Sequence, residues 1–137
     1  MSHDVEQAGL DRLTAFVGEW RLEASFATAD GAGRAVFEWL LGGRFLIERA
    51  EVAGAPDSVA IVGLNTDGAY TQHYFDSRGI ARVYAMTFSD GVWTLLRNAA
   101  DFTPLDFAQR FTGEFSPDER TISGRWESSR DRHGLGA

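Results

Sequence analysis

The chain has 137 residues, 44% hydrophobic and 24% charged, enough for one domain with its own core. Cysteine is absent, which excludes a disulfide scaffold, thiolate zinc, iron–sulfur clusters and thiol nucleophiles. All 13 basic residues are arginine and the net charge is −7, so Schiff-base lysine chemistry is excluded and a phosphate backbone finds no basic stretch.

From the N-terminus, Met1 to Gln7 is polar and acidic, without the basic start and apolar stretch of a secretory leader. No apolar run reaches the ~18 residues of a membrane span, and no lipidation motif is present. The expectation is a cytoplasmic protein without membrane partners. Leu10, Leu13, Phe16 and Val17 then form one apolar stripe, predicting a short helix that Gly18 stops. This helix would plug one end of the structure built by the rest of the chain.

Beyond Gly18 the chain is a ladder of turns. Asp30-Gly31, Gly42-Gly43, Ala55-Pro56, Asp67-Gly68, Arg78-Gly79, Asp90-Gly91, Thr103-Pro104 and Pro117-Asp118 recur every 11 to 14 residues. Glycine supplies left-handed dihedrals for tight hairpins, and proline pre-sets φ in ordinary turns. Between them the chain alternates. Trp20, Leu22, Ala24 and Phe26 stand against Arg21, Glu23 and Ser25; Ile80, Arg82, Tyr84, Met86 and Phe88 stand against Ala81, Val83, Ala85 and Thr87. A period of two with aromatic and β-branched residues predicts strands, nine in all: 19–29, 33–41, 44–53, 58–65, 69–76, 80–88, 92–99, 106–116 and 120–128. Strands this short, joined this tightly, hide their edges best by rolling into an all-β, up-and-down antiparallel barrel. A barrel of eight or more strands has room for a small ligand.

Phe16-Val17-Gly18-Glu19-Trp20, a Gly-x-Trp opening the first strand after a short helix, resembles the start of calycin-type barrels: lipocalins, fatty-acid-binding proteins and nitrobindin. Trp39-Leu40-Leu41-Gly42-Gly43-Arg44-Phe45-Leu46 and Ser116-Pro117-Asp118 to Ile122-Ser123-Gly124-Arg125-Trp126-Glu127 are similar to a bacterial calycin-like family, the DUF1579 type. The resemblance covers about residues 10–127 and implies a lipocalin-like fold, not an activity. It also implies a final strand after 128, where this chain reads Arg130-Asp131-Arg132-His133-Gly134-Leu135-Gly136-Ala137. Closure of the barrel without that strand is left open, and an unclosed edge would favour a homodimer.

The strand faces that carry the aromatics are the inward set. They include Tyr70, Gln72 and Tyr74; Arg82 and Tyr84; Trp93, Leu95 and Arg97; and Phe107, Gln109 and Phe111. An arginine on an apolar face is costly unless it is paired. Tyr74, Arg82, Tyr84, Trp93, Arg97 and Gln109 are therefore the expected ligand-binding residues, for a hydrophobic or amphipathic anion gripped at its charged end. An Arg-x-Tyr pair also resembles the carboxylate grip of fatty-acid-binding proteins. Two alternatives stand beside this: the arginines pair internally with Glu48, Glu51 or Asp76, or a one-residue slip turns them to solvent.

Catalytic signals are thinner. No serine sits in a Gly-x-Ser-x-Gly elbow. Glu38 and Glu48 are expected to face each other across the Gly42-Gly43 hairpin and, with His73, are the candidates for acid–base work on a hydrophobic substrate by an isomerase, cyclase or hydrolase. His73 has no second ligand nearby, and His3 and His133 lie at the termini, so neither haem nor another cofactor nor a metal is expected. Trp20, Trp39, Trp93 and Trp126 are expected in core packing rather than in base stacking.

Overall fold

Glycine and proline set where this chain turns back, and nine strands run between those points among the described residues, 3–25 and 30–129 of the computed structural model. Helix α1 (His3–Leu13) leads through a 3₁₀ turn (Thr14–Phe16) into β1 (Gly18–Ser25). Then come β2 (Asp30–Leu40), β3 (Phe45–Val52), β4 (Ser58–Leu64) and β5 (Tyr70–Asp76). After these run β6 (Ala81–Ser89), β7 (Val92–Arg97), β8 (Ala108–Phe115) and β9 (Thr121–Ser129). Each strand pairs antiparallel with the next, and β9 returns to β1 to close the barrel. That closing pair is parallel, from Arg21 opposite Thr121 to Ser25 opposite Arg125, as an odd number of alternating strands requires. The expected all-β, calycin-like barrel with its short N-terminal helix is therefore the architecture. The edge that left closure open is paired; residues 130–137 lie outside the described residues.

The Asp90-Gly91 hairpin shows why the turn chemistry works. Both residues adopt left-handed dihedrals, with φ of 53° and 76°, as a two-residue turn matched to strand twist demands. Asp30-Gly31 is a correction: it opens β2, and residues 26–29, Phe26 included, lie outside the described residues. In β2 glycine serves close strand contact. A Cβ on Gly33 would collide with the carbonyl oxygen of Glu51 on β3. The predicted strands 92–99 and 106–116 also overran. β7 ends at Arg97 and β8 starts at Ala108, leaving 98–107 as the longest connection within the described segments.

One end of the barrel is solid. Leu10, Leu13 and Phe16 are buried, whereas Val17 is 40% exposed. Val17 leaves the predicted stripe because its backbone is already extended, with ψ of 128°. Phe16 fills the barrel end, its ring centroid 4.6 to 5.3 Å from those of Phe37, Phe88, Trp93 and Phe115. Trp20 Nε1 donates to the Phe16 carbonyl at 2.7 Å. Tyr70 secures the helix by donating its hydroxyl to the Gly9 carbonyl at 2.7 Å. No helix among the described residues is long and apolar enough to cross a membrane.

Candidate functional site

The other end is hollow. A cavity of about 800 Å³ runs from the barrel middle to a mouth bordered by the β3–β4 connection at Gly54, Ala55 and Pro56, by Arg78, and by Ser128 at the end of β9. Its volume lies within the range of small-molecule sites. Alternation along each strand turns Trp93 and Leu95, Tyr84, Phe111 and Trp126 into it. The rings brace one another: Trp93 meets Phe111 edge-on at 5.0 Å, and Phe111 meets Trp126 at 5.1 Å. Gly113 and Gly124, partners across β8 and β9, let the Phe111 ring lie against the wall. A Cβ on Gly124 would collide with it.

Toward the mouth the wall becomes polar. Arg82 Nη1 donates to Gln109 Oε1 at 2.5 Å, and the Tyr84 hydroxyl donates to the same oxygen at 3.1 Å. The Arg82 guanidinium also lies 5.4 Å from the Phe107 ring centroid, within cation–π range. Because arginine only donates, the amide oxygen of Gln109 must be the acceptor, and its NH₂ is left to donate elsewhere. No carboxylate pairs with Arg82 among the described residues. The guanidinium and the amide NH₂ are hydrogen-bond donors standing above an apolar wall, a combination able to hold an acceptor oxygen of a small molecule.

Tyr74 belongs to a neighbouring rim cluster. Its hydroxyl donates to Asp76 at 2.9 Å, and Asp76 in turn accepts from Arg78 at 2.7 Å. The Arg78 guanidinium holds Asp76 down at about 2, while burial pushes the Tyr74 phenol up. Burial also raises Tyr84.

Five of the six expected ligand-binding residues, Tyr74, Arg82, Tyr84, Trp93 and Gln109, line this one cavity. Arg97 does not. It is buried, but its guanidinium is held by Asp101, Thr103 and the Pro104 carbonyl. The internal partners anticipated for the arginines were Glu48, Glu51 and Asp76. The observed one is Asp101, supplied by the connection after β7, which the strand pattern does not reach. Trp93 and Trp126 face the cavity and Trp20 packs at the plugged end.

Glu38 and Glu48 do not face each other. Phe37 stands opposite Glu48, and Glu38 stands opposite Ile47. Glu38 points outward and meets Arg49 at 3.6 Å; Glu51 and His73 are exposed too. Glu48 alone of the catalytic candidates lines the cavity. It is 9% exposed, and burial pushes its carboxyl up to about 7. No hydrogen bond or ion pair engages it among the described residues.

Gln72 is a residue that motif reading passed over. It is 2% exposed, lines the cavity, and its Oε1 has no hydrogen-bond partner. Trp93 Nε1 is likewise buried and unpartnered. Inward facing was legible for both from alternation, whereas the missing partners were not. No protein-family model matches the chain, and the search of curated proteins finds no similar one.

Proposed function

We propose that this protein is a small-ligand carrier of the calycin-like type, similar to the DUF1579 family, which holds a hydrophobic or amphipathic anion in its barrel. The observation that carries the reading is the cavity wall itself. An aromatic chamber of about 800 Å³ bears one guanidinium, Arg82, with no carboxylate partner among the described residues. A cation drawn into an apolar wall is costly unless an anion completes it. Gln109 and Tyr84 fix its direction, and Phe107 covers one face. The helix plug at Phe16 supports a pocket with one entrance.

Native mass spectrometry before and after lipid extraction tests occupancy. Titration of the extracted protein with palmitate and with hexadecanol tests the charge preference. Palmitate is expected to bind more tightly, and Arg82→Gln is expected to cost palmitate about tenfold more affinity than hexadecanol. Equal affinities in the unmodified protein would overturn the anionic reading.

A second reading, an isomerase, cyclase or hydrolase acting on a hydrophobic substrate in the same chamber, is supported by Glu48. A carboxyl near neutrality in an apolar site is suited to proton transfer.

A further inference from the structure

We infer that the outer wall of the barrel over β4 to β7 is an interface on which two copies of this chain pack face to face, about a two-fold axis running along the seam between β5 and β6. The inference is independent of what the cavity holds.

The alternation that turns one set of side chains into the lumen turns the other set outward. On β1 the outward set is Glu19, Arg21 and Glu23, and β9 presents Arg125 and Glu127. From Val59 on β4 to Leu96 on β7, no outward position of the described strands holds Asp, Glu or Arg. Four neighbouring strands are thus bare of formal charge on the outside, in a chain with 20 acidic and 13 basic residues. Large apolar side chains stand in water there instead. Val59 and Phe75 are partners across β4 and β5 and remain 36% and 40% exposed. A single exposed apolar residue is ordinary, whereas a contiguous uncharged patch marks a contact surface.

Charge and shape together select the partner. A net charge of −7 makes two copies repel where acidic surface meets acidic surface, and this wall lets them meet with no like charges opposed. A polyanion finds no arginine on it, and a charged protein finds no counter-charge. Its relief is self-complementary. β5 presents a ridge of Thr71, His73 and Phe75; beside it β6 presents a trough of Ala85, Val83 and Ala81, matched row for row. A two-fold axis along their seam sets Phe75 over Ala81 of the partner subunit and Thr71 over Ala85 of the partner subunit, and does so twice. Charge resumes at both margins, with Arg49 beside Val59 and Arg110 beside Leu96, as in the polar rim of an interface. Four strands about 4.8 Å apart and about six residues long give a face of roughly 400 Å² in projection. Two such faces lie at the small end of specific interfaces, which sets a micromolar dimer rather than an obligate one. The wall is the barrel flank, so both cavity mouths stay open, at the same end of the dimer.

Sedimentation velocity of the unmodified chain from about 1 µM to about 0.5 mM tests the association. A monomer–dimer equilibrium with a micromolar dissociation constant is expected. Phe75→Glu on the ridge and Ala85→Glu in the trough should each weaken it about 100-fold or more. Ser123→Glu, outward on β9, should leave it unchanged. The chain has no cysteine of its own, so oxidising a mixture of Thr71→Cys and Ala85→Cys chains should join the two variants more readily than either joins to itself. That cross-link reads the packing even if a Glu substitution prevents folding. A chain still monomeric at about 0.5 mM overturns the inference. So does a dimer that survives both Glu substitutions, or one whose mixed cross-link does not form. Flotation of a monomeric chain with phosphatidylcholine vesicles, lost in Phe75→Glu, would assign the wall to a lipid surface and overturn it as well.

Discussion

Arg97 and Asp101 form a two-pronged ion pair sealed from solvent: Nε reaches Oδ2 at 2.8 Å and Nη2 reaches Oδ1 at 3.0 Å, with side chains 2% and 3% exposed. The same carboxylate accepts from the backbone N–H of Val83 at 3.0 Å. It does so beyond Ala85 opposite Leu96, where the β6–β7 ladder ends. Asp101 thus stands in for a strand at the point where β6 would be left unpaired. Asp101→Asn is expected to destabilise the protein by about 3 kcal/mol, because it leaves a buried guanidinium uncompensated. Urea unfolding at pH 7 checks this.

The same pair sets an acid limb. Arg97 holds the Asp101 carboxyl well below the usual carboxylate range. Its stabilising contribution is complete above the unfolded value of about 4 and drains away as pH falls through the depressed folded value. Stability measured from pH 5 to pH 2 should therefore fall less steeply in Asp101→Asn than in the unmodified protein.

Glu48 acts in the opposite sense. Burial raises its carboxyl from 4.5 to about 7, so between those values the unfolded chain ionises while the folded one keeps its proton. Stability falls as pH rises across that window and levels off above it. The full penalty is on the order of 3 kcal/mol. Glu48→Gln should flatten this limb and exceed the unmodified protein in stability at pH 8, as read by thermal melts across the range.

Phe16 closes the barrel with no exposed surface and four ring neighbours. Phe16→Ala should cost about 4 kcal/mol, the usual penalty for emptying a large aromatic site. Guanidinium unfolding gives the value, and a near-UV circular dichroism change at Trp93 and Trp20 would locate it.

Gly124→Ala tests the opposite fault, crowding. The added methyl would strike the Phe111 ring and push it toward the cavity, at a cost of about 1–3 kcal/mol. Thermal melting shows the loss, and weaker palmitate binding would show that the ring has moved inward.

Much of this architecture was legible because a period of two survives any error in exact boundaries. Tyr84, Trp93 and Gln109 face the lumen simply as alternate members of their strands. The Glu38–Glu48 pairing failed on parity. Leu40 lies opposite Phe45, so an even number of residues fills the turn and partners must differ in parity; two even-numbered residues fall on opposite faces. The Arg97–Asp101 pair was out of reach for a different reason. It depends on the path of residues 98–107, which obeys no period and is set by what the carboxylate finds at Val83. The unpartnered state of Gln72 and Trp93 was also invisible, since it depends on which side chains of other strands pack around the Gln72 oxygen and the Trp93 nitrogen.

Strand parity has a practical corollary for anyone handling this molecule. With an even count, entry and exit of the chain would share one rim; with β9 running alongside β1 in the same direction, they sit at opposite poles. The helix leads in at the sealed pole, and Ser129 leads out next to Ser128 on the cavity rim. A reporter or tether joined ahead of α1 therefore starts far from the ligand doorway, while one joined downstream of β9 starts on its threshold.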